Sequence, residues 1–312
     1  MIEKEQLLAK LREIDKEFYA DGDEDYGDDG FDIIKVFSKE NFSLNNKMSV
    51  LGLDIYKYSE YKKNKQNLIP FIFDYIYDKT LESIENSKEV ILFKEILLDK
   101  SKYFISTGDG GFILFKTPIH ALIFNLHFFA VLHLFNTGHF FSKLSKYVDA
   151  LVIRSALTYD KVYEYEGKYF GKAIINNSRI LSKDRLNRFI FDESVFKYFN
   201  RKCNGIETIS ILCVENIEKI LQERIDGMAF FQRRENFNEY NNPFNNPVIR
   251  SIHVQKIDDL QSKNTKMKLY NVEIQYSATW YNDVETNQAT SFILTIGNLN
   301  SNNLNWEKYY YK

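Results

Sequence analysis

Two apolar runs, Tyr103-Phe104-Ile105-Ser106-Thr107 and Phe112-Ile113-Leu114-Phe115, are separated by Gly108-Asp109-Gly110-Gly111. So short a connection leaves the runs one arrangement, an antiparallel hairpin with a tight turn. Glycine supplies the positive φ such turns use and lets another backbone, or a phosphate, come close. The turn therefore presents Asp109 at the edge of a sheet. A second aspartate follows the buried run Met48-Ser49-Val50-Leu51-Gly52-Leu53, as Leu53-Asp54-Ile55. If the two strands lie side by side, Asp54 and Asp109 meet. Paired carboxylates are the hard oxygen ligands taken by two Mg²⁺ or Mn²⁺ ions, and such ions activate nucleoside triphosphates. The main-chain carbonyl of Ile55 is a further candidate ligand, and Gly108 a candidate phosphate contact.

The pattern along the chain fixes the expected architecture. Residues 2–18 read as an amphipathic helix, followed by an acidic, glycine-rich loop over 21–32. That loop has aspartates at calcium-ligand spacing, but Tyr26 stands where the loop glycine belongs, so a solvated loop is expected. After the strand ending at Asp54, the periodicity predicts helix over 58–65 and 69–86, with another apolar run over 90–97. The hairpin and a long apolar helix, 120–135, come next. Strands are expected at 151–158 and 161–165 as a second hairpin, a helix at 171–181, a strand at 188–191 and a helix at 193–199. This β-α-β-β-α-β-β-α-β order is a ferredoxin-like α+β core with additions. After about residue 200 a helix (214–231) leads to an Asn/Pro-rich linker holding Pro243 and Pro247. Alternating strands at 268–276 and 290–296 then predict a small β-rich C-terminal domain. The expected units are 1–46, a core over 47–200, a helical and linker segment over 201–247, and a β-rich domain over 248–312.

Bulk properties narrow the function. A net charge of −2 in 312 residues argues against a broad nucleic-acid surface, so no nucleic-acid partner is expected. Cys203 and Cys213 form no CxxC or Cys/His pattern, as suits reduced thiols in a cytoplasmic protein. The opening Met1-Ile2-Glu3-Lys4-Glu5 is charged, unlike a signal peptide. The apolar run over 121–135 is shorter than the roughly 20 residues of a membrane span. It also carries Asn125, His127 and His133, so a buried core helix is expected and no membrane partner. His120, His127, His133 and His139 lack carboxylate or cysteine partners at ligand spacing and are expected as core histidines.

Four stretches together resemble class III nucleotide cyclases. Asp54-Ile55-Tyr56-Lys57-Tyr58-Ser59 resembles their first metal motif and Thr107-Gly108-Asp109-Gly110 their second. Ile153-Arg154-Ser155-Ala156-Leu157 resembles the family strand that begins with arginine. The run from Tyr169 through Gly171 and Asn176 to Arg179 and Leu181 resembles the family helix that carries an asparagine and an arginine. The resemblance covers about residues 47–200, in family order. It implies that Asp54 and Asp109, with Ile55, hold two Mg²⁺ or Mn²⁺ ions per site. Arg179 is implied as the catalytic group on the triphosphate, and a homodimer is implied whose sites draw on both protomers. The family asparagine falls on Ile175, with Asn176 one place later as the candidate for its role. Tyr56 and Arg154 are candidate base or phosphate contacts; the alternative for Tyr56, and the favoured one, is a core aromatic, and for Arg154 a structural ion pair.

The departures concern the base. The lysine and aspartate that read purine in adenylyl cyclases fall on Ile105 and Lys168. Such a pattern resembles the bacterial antiphage (Pycsar) pyrimidine cyclases. The implied product is cyclic UMP or cyclic CMP, and the implied trigger is phage-derived and of unknown nature.

Overall fold

The structure, a computed structural model, describes residues 43–85, 93, 96–97, 99, 101–165, 167–184, 188–203, 205–206, 248–257, 259–262, 265–283 and 288–297. The expected helix over 2–18, the acidic loop, the helix over 214–231, the linker and Cys213 lie outside these residues, as does most of the run over 90–97.

The fold is α+β around one mostly antiparallel sheet. Strand β1 (Ser43–Ile55) lies at its centre, between β3 (Gly110–Phe115) and β4 (Ile153–Tyr165), and β2 (Phe104–Ser106) lies outside β3. The order β4-β1-β3-β2 is that of a ferredoxin-like core. Burial on both faces explains why β1 reads as an unbroken apolar run rather than an alternation: Ser49, Val50, Leu51, Leu53 and Ile55 are all buried. Strand β6 (Phe189–Asp192) joins β4 in parallel, and the other pairings in this sheet are antiparallel.

Helices cover both faces. A single turn, α1 (Lys63–Gln66), precedes α2 (Ile69–Glu85). Helices α2 and α3 (Pro118–Asn136) pack on one face, where Leu51, Leu53 and Ile55 join the largest apolar cluster. Proline starts α3, where its missing N–H costs no bond. Fifteen of the nineteen α3 residues are buried. By length and composition α3 is apolar enough to cross a membrane, but its burial inside the protein accounts for that composition. A short helix, α4 (Ser142–Val148), leads into β4. On the opposite face lies α5 (Lys172–Lys183), followed after β6 by α6 (Glu193–Cys203), whose Val195 and Phe199 join the same apolar cluster as α2 and α3.

Helix α5 can sit close because β1 carries Gly52 beneath it. A Cβ there would stand 2.0 Å from Asn177 Oδ1. Asn177 Nδ2 donates to the carbonyls of Val50 (2.7 Å) and Ala156 (3.0 Å), stitching the helix to two central strands.

Two expectations are corrected. The helix expected over 58–65 is a 3-10 turn (Tyr58–Glu60) followed by α1, because Lys57 adopts a left-handed φ of 58° and Lys62 is extended. The second hairpin does not turn near residue 159. β4 runs straight through Tyr159-Asp160, and its partner is β5 (Lys168–Phe170), with Gly167 at φ 71° in the turn. β1 begins at Ser43. Beyond β6 the main sheet continues into the C-terminal strands. β7 (Val248–Lys256) and β11 (Gln288–Ile296) flank β10 (Leu269–Asp283), which pairs with β6 at Leu269↔Asp192 through Val272↔Phe189. Tyr276 Oη donates to the Leu126 carbonyl of α3 at 2.7 Å, within the shared core. Without β10, β6 would present an open edge, and its four buried residues would lose their cover. Among the described residues only a small hairpin, β8 (Leu260–Ser262) and β9 (Thr265–Met267), pairs outside the main sheet.

Candidate active site

The carboxyl end of β1 brings together Asp54, the turn that carries Asp109, and Arg154. Register sets Asp54 opposite Gly110 of β3 and opposite Arg154 of β4. The Ile55 N–H donates to the Asp109 carbonyl at 2.9 Å, and the Thr107 N–H closes the turn on the Gly110 carbonyl at 3.0 Å. The turn is thus bonded to the strand end that carries Asp54.

The two turn glycines serve different needs. Gly110 has no room for a side chain, since a Cβ would lie 2.0 Å from the Leu53 carbonyl. Gly108 faces open space but takes a φ of 93°, which favours glycine. Asp109 is half-buried, and Thr107 Oγ1 donates to its Oδ1 at 3.4 Å.

Asp54 is held in an uneasy balance. Burial raises its carboxyl above the usual range, the Arg154 charge and hydrogen bond oppose that rise, and the nearby Asp109 charge adds to it. Arg154 Nε donates directly to Asp54 Oδ2, and Arg154 Nη1 donates to the Asp184 carbonyl. The Ile55 side chain is a buried hydrocarbon with no donor atom, so its main-chain carbonyl is the candidate ligand.

This donor set suits a hard divalent cation. Two carboxylates and a main-chain carbonyl are all oxygen donors, set on bonded strands. Among the described residues no three His, Cys, Asp or Glu side chains group to hold an ion. Carbonyl, water and phosphate oxygens would complete the shell, as is common for Mg²⁺. The histidines of α3 take no part. His127 Nδ1 and Ser83 Oγ share a hydrogen bond at 2.8 Å, His120 Nδ1 and Thr117 Oγ1 another at 2.8 Å, and His133 stacks on Phe292. His139 lies beyond the helix end.

Tyr56 is half-buried beside the site, with the Arg154 guanidinium 6.0 Å from its ring centre. It also lines a cavity of about 350 Å³ with Lys57, Tyr61 and Lys65. Ile105 and Lys168 occupy a different region. Ile105 packs beside Tyr103 and Tyr169 on the α5 face of the sheet, and Lys168 is exposed at the start of β5. The stacking of Tyr103 on Tyr169, centres 6.3 Å apart, brings these two strands together.

On α5, Asn176 faces inward at 6% exposure, whereas Ile175 is 51% exposed. Arg179 stands one turn after Ile175 and is half-buried. The outward position that the resemblance reserves for asparagine is therefore isoleucine.

Sequence reasoning passed over Asp184, Arg188, Tyr103 and Tyr169. Asp184 is the extended residue after α5 and Arg188 lies beyond it, so helical spacing does not mark the first two. The tyrosines carried no signal apart from their strands.

No protein-family model matches the chain, and no curated protein matches it. Solved structures of similar shape include the catalytic core of a rhodopsin-guanylyl cyclase of converted specificity in complex with ATPalphaS. It is 14% identical, covers 74% of this chain and 97% of its own, and has a TM-score of 0.42. The adenylyl cyclase CyaB from P. aeruginosa is 10% identical over 72% of this chain and 93% of its own, with a TM-score of 0.39. An adenylate/guanylate cyclase/hydrolase from Silicibacter pomeroyi is 10% identical over 74% and 98%, also at 0.39. These overlaps are loose, and no residue role is transferred from them.

Proposed function

We propose that this protein is a nucleotide cyclase that converts a pyrimidine nucleoside triphosphate, UTP or CTP, into its 3′,5′-cyclic monophosphate and pyrophosphate. The observation that carries this reading is the meeting of Asp54 and Asp109 across β1 and the β2–β3 turn, with Arg154 on the third strand. In the reaction the 3′-oxygen bonds to the α-phosphorus, the bond from that phosphorus to the bridging oxygen breaks, and the hydroxyl proton leaves to solvent. Asp54, Asp109 and the Ile55 carbonyl would hold two Mg²⁺ or Mn²⁺ ions, which favour the deprotonated hydroxyl and offset the triphosphate charge. The glycine turn brings its backbone close to the phosphates, and Arg179 stabilises the charge that develops on them.

Arg179 lies on α5, and the resemblance implies that it serves the site of a partner protomer in a homodimer. Base selection follows from Ile105 and Lys168. An isoleucine cannot hydrogen-bond an adenine edge, and a lysine only donates, so the usual purine contacts are missing. A role as a second-messenger source in antiphage defence, in the cytoplasm and with a phage-derived trigger, rests on the sequence resemblance alone.

The test is direct. Purified protein is incubated with each of the four labelled triphosphates and Mn²⁺, with Asp109→Ala as control. Cyclic UMP or cyclic CMP from the wild type only is expected. Cyclic AMP or cyclic GMP as main product would overturn the pyrimidine assignment, and no cyclic product would overturn the enzyme. Mixing Asp109→Ala with Arg179→Ala chains should restore part of the activity if sites are shared.

A second reading is favoured by one observation. Arg154 forms an ion pair with Asp54. A catalytically silent module that binds nucleotide and signals to a partner would keep such a pair. It predicts triphosphate binding without turnover in the same assay.

A further inference from the structure

A metal ion at Asp54 would find a cation already there. Arg154 Nε donates to Oδ2, an oxygen that a metal ion would compete for. The guanidinium is anchored at its other side, where Nη1 donates to the Asp184 carbonyl. That carbonyl is itself fixed. The Asp184 carboxylate takes two hydrogen bonds from Arg188, from Nε at 2.8 Å and from Nη2. Both side chains are essentially sealed from solvent, at 1% and 0% exposure. The Arg188 carbonyl in turn accepts the N–H of Ser155, the neighbour of Arg154, at 3.0 Å. A buried ion pair carries a desolvation cost that its own attraction barely offsets, so placement is a better explanation of it than stability. Here it ties the end of α5 to the start of β4, at the point where Arg154 projects.

We propose that Arg154 is a built-in counter-cation that holds Asp54 until a divalent metal ion displaces it, pivoting on a carbonyl fixed by the Asp184–Arg188 pair. The inference rests on the metal-site reading above. A guanidinium and a metal ion compete for the same carboxylate charge, so metal affinity is set by an exchange. A purely structural Arg154 would have the opposite signature, because losing it would loosen Asp54 and weaken metal binding.

The experiment is a titration of the full chain with Mn²⁺ alone, without nucleotide, at pH 8, followed by electron paramagnetic resonance. Circular dichroism checks folding. Arg154→Gln should bind Mn²⁺ about tenfold more tightly than wild type, within the usual range of couplings between sites. Arg154→Lys should fall between the two, because a single ammonium lacks the fork that spans both acceptors. Asp109→Ala should bind more weakly than wild type. Equal or weaker binding by folded Arg154→Gln would overturn the proposal, and if that variant does not fold, Arg154→Lys decides by the same criterion. If the wild type and both Arg154 variants bind no Mn²⁺, the metal site itself is refuted, and this inference with it.

Discussion

Asp54 and Asp192 each stand at the last or next-to-last residue of a strand, and both are largely removed from water, yet they are satisfied in different ways. Asp192 accepts from the Val195 N–H at 2.8 Å and from the Tyr159 N–H at 3.4 Å. It caps α6, its donors are main chain, and nothing about it can be exchanged. Asp54 is met instead by a side-chain guanidinium, with a second carboxylate beside it on a glycine turn. Donors built into a backbone make a carboxylate structural, whereas a side-chain counter-charge leaves it able to change partner.

That contrast can be broken by mutation. Asp109→Ala should lower turnover by more than the roughly 10–100-fold that an outer-shell partner costs, with little change in melting temperature. A loss of stability matching the loss of activity would place Asp109 with Asp192, as structural. Burial pushes the His127 and His120 imidazoles down to about 4. The unfolded chain then binds more protons below about pH 6.5, so stability is full above that value and falls as pH drops toward 4. The loss is on the order of 3 kcal/mol per histidine. Urea melts of His127→Gln against wild type should show part of that slope removed.

At the other end of the sheet the sign reverses. Burial raises Asp192 to about 7, against the pull of its backbone donors. Its contribution is present at low pH and is lost as pH rises toward 7, by roughly 2 kcal/mol between pH 5 and pH 7. Asp192→Asn keeps an acceptor for the Val195 N–H but removes the charge, so it should flatten this limb while leaving turnover intact. A drop in turnover without unfolding would remove the distinction between the two carboxylates. The smallest effect expected is for Tyr276→Phe, which removes the bond to the Leu126 carbonyl and should cost about 0.5–1.5 kcal/mol. Chemical denaturation of this variant should stay a single transition, because β10 belongs to the same sheet as β1.

The hairpin, the central strand and the core helix were legible in the sequence because each is a strong local pattern. The Gly108-to-Gly111 turn forces a reversal, and the all-round apolar character of α3 fits a helix buried on every side. Asp54 and Asp109 could be brought together from strand order alone. What could not be read depends on partners far away in the chain. The alternation in 268–276 announces a strand but not that it completes the edge of β6. The continuity of β4 through Asp160 depends on pairing with β1, where Met48 and Asp160 are in register. Arg154 was seen as either a ligand contact or an ion pair. The structure gives it Asp54 as partner, and Asp184 and Arg188 entered only through that contact.

The central claim is that Asp54 and Asp109 form one divalent-metal site for a triphosphate. It is tested most directly by counting Mn²⁺ ions bound in the presence of 3′-deoxy-UTP or 3′-deoxy-CTP, which lack the attacking hydroxyl. Two ions per active site are predicted for the wild type with at least one analogue, falling to one or none in Asp54→Asn and in Asp109→Ala. An unchanged count in both variants would contradict the account.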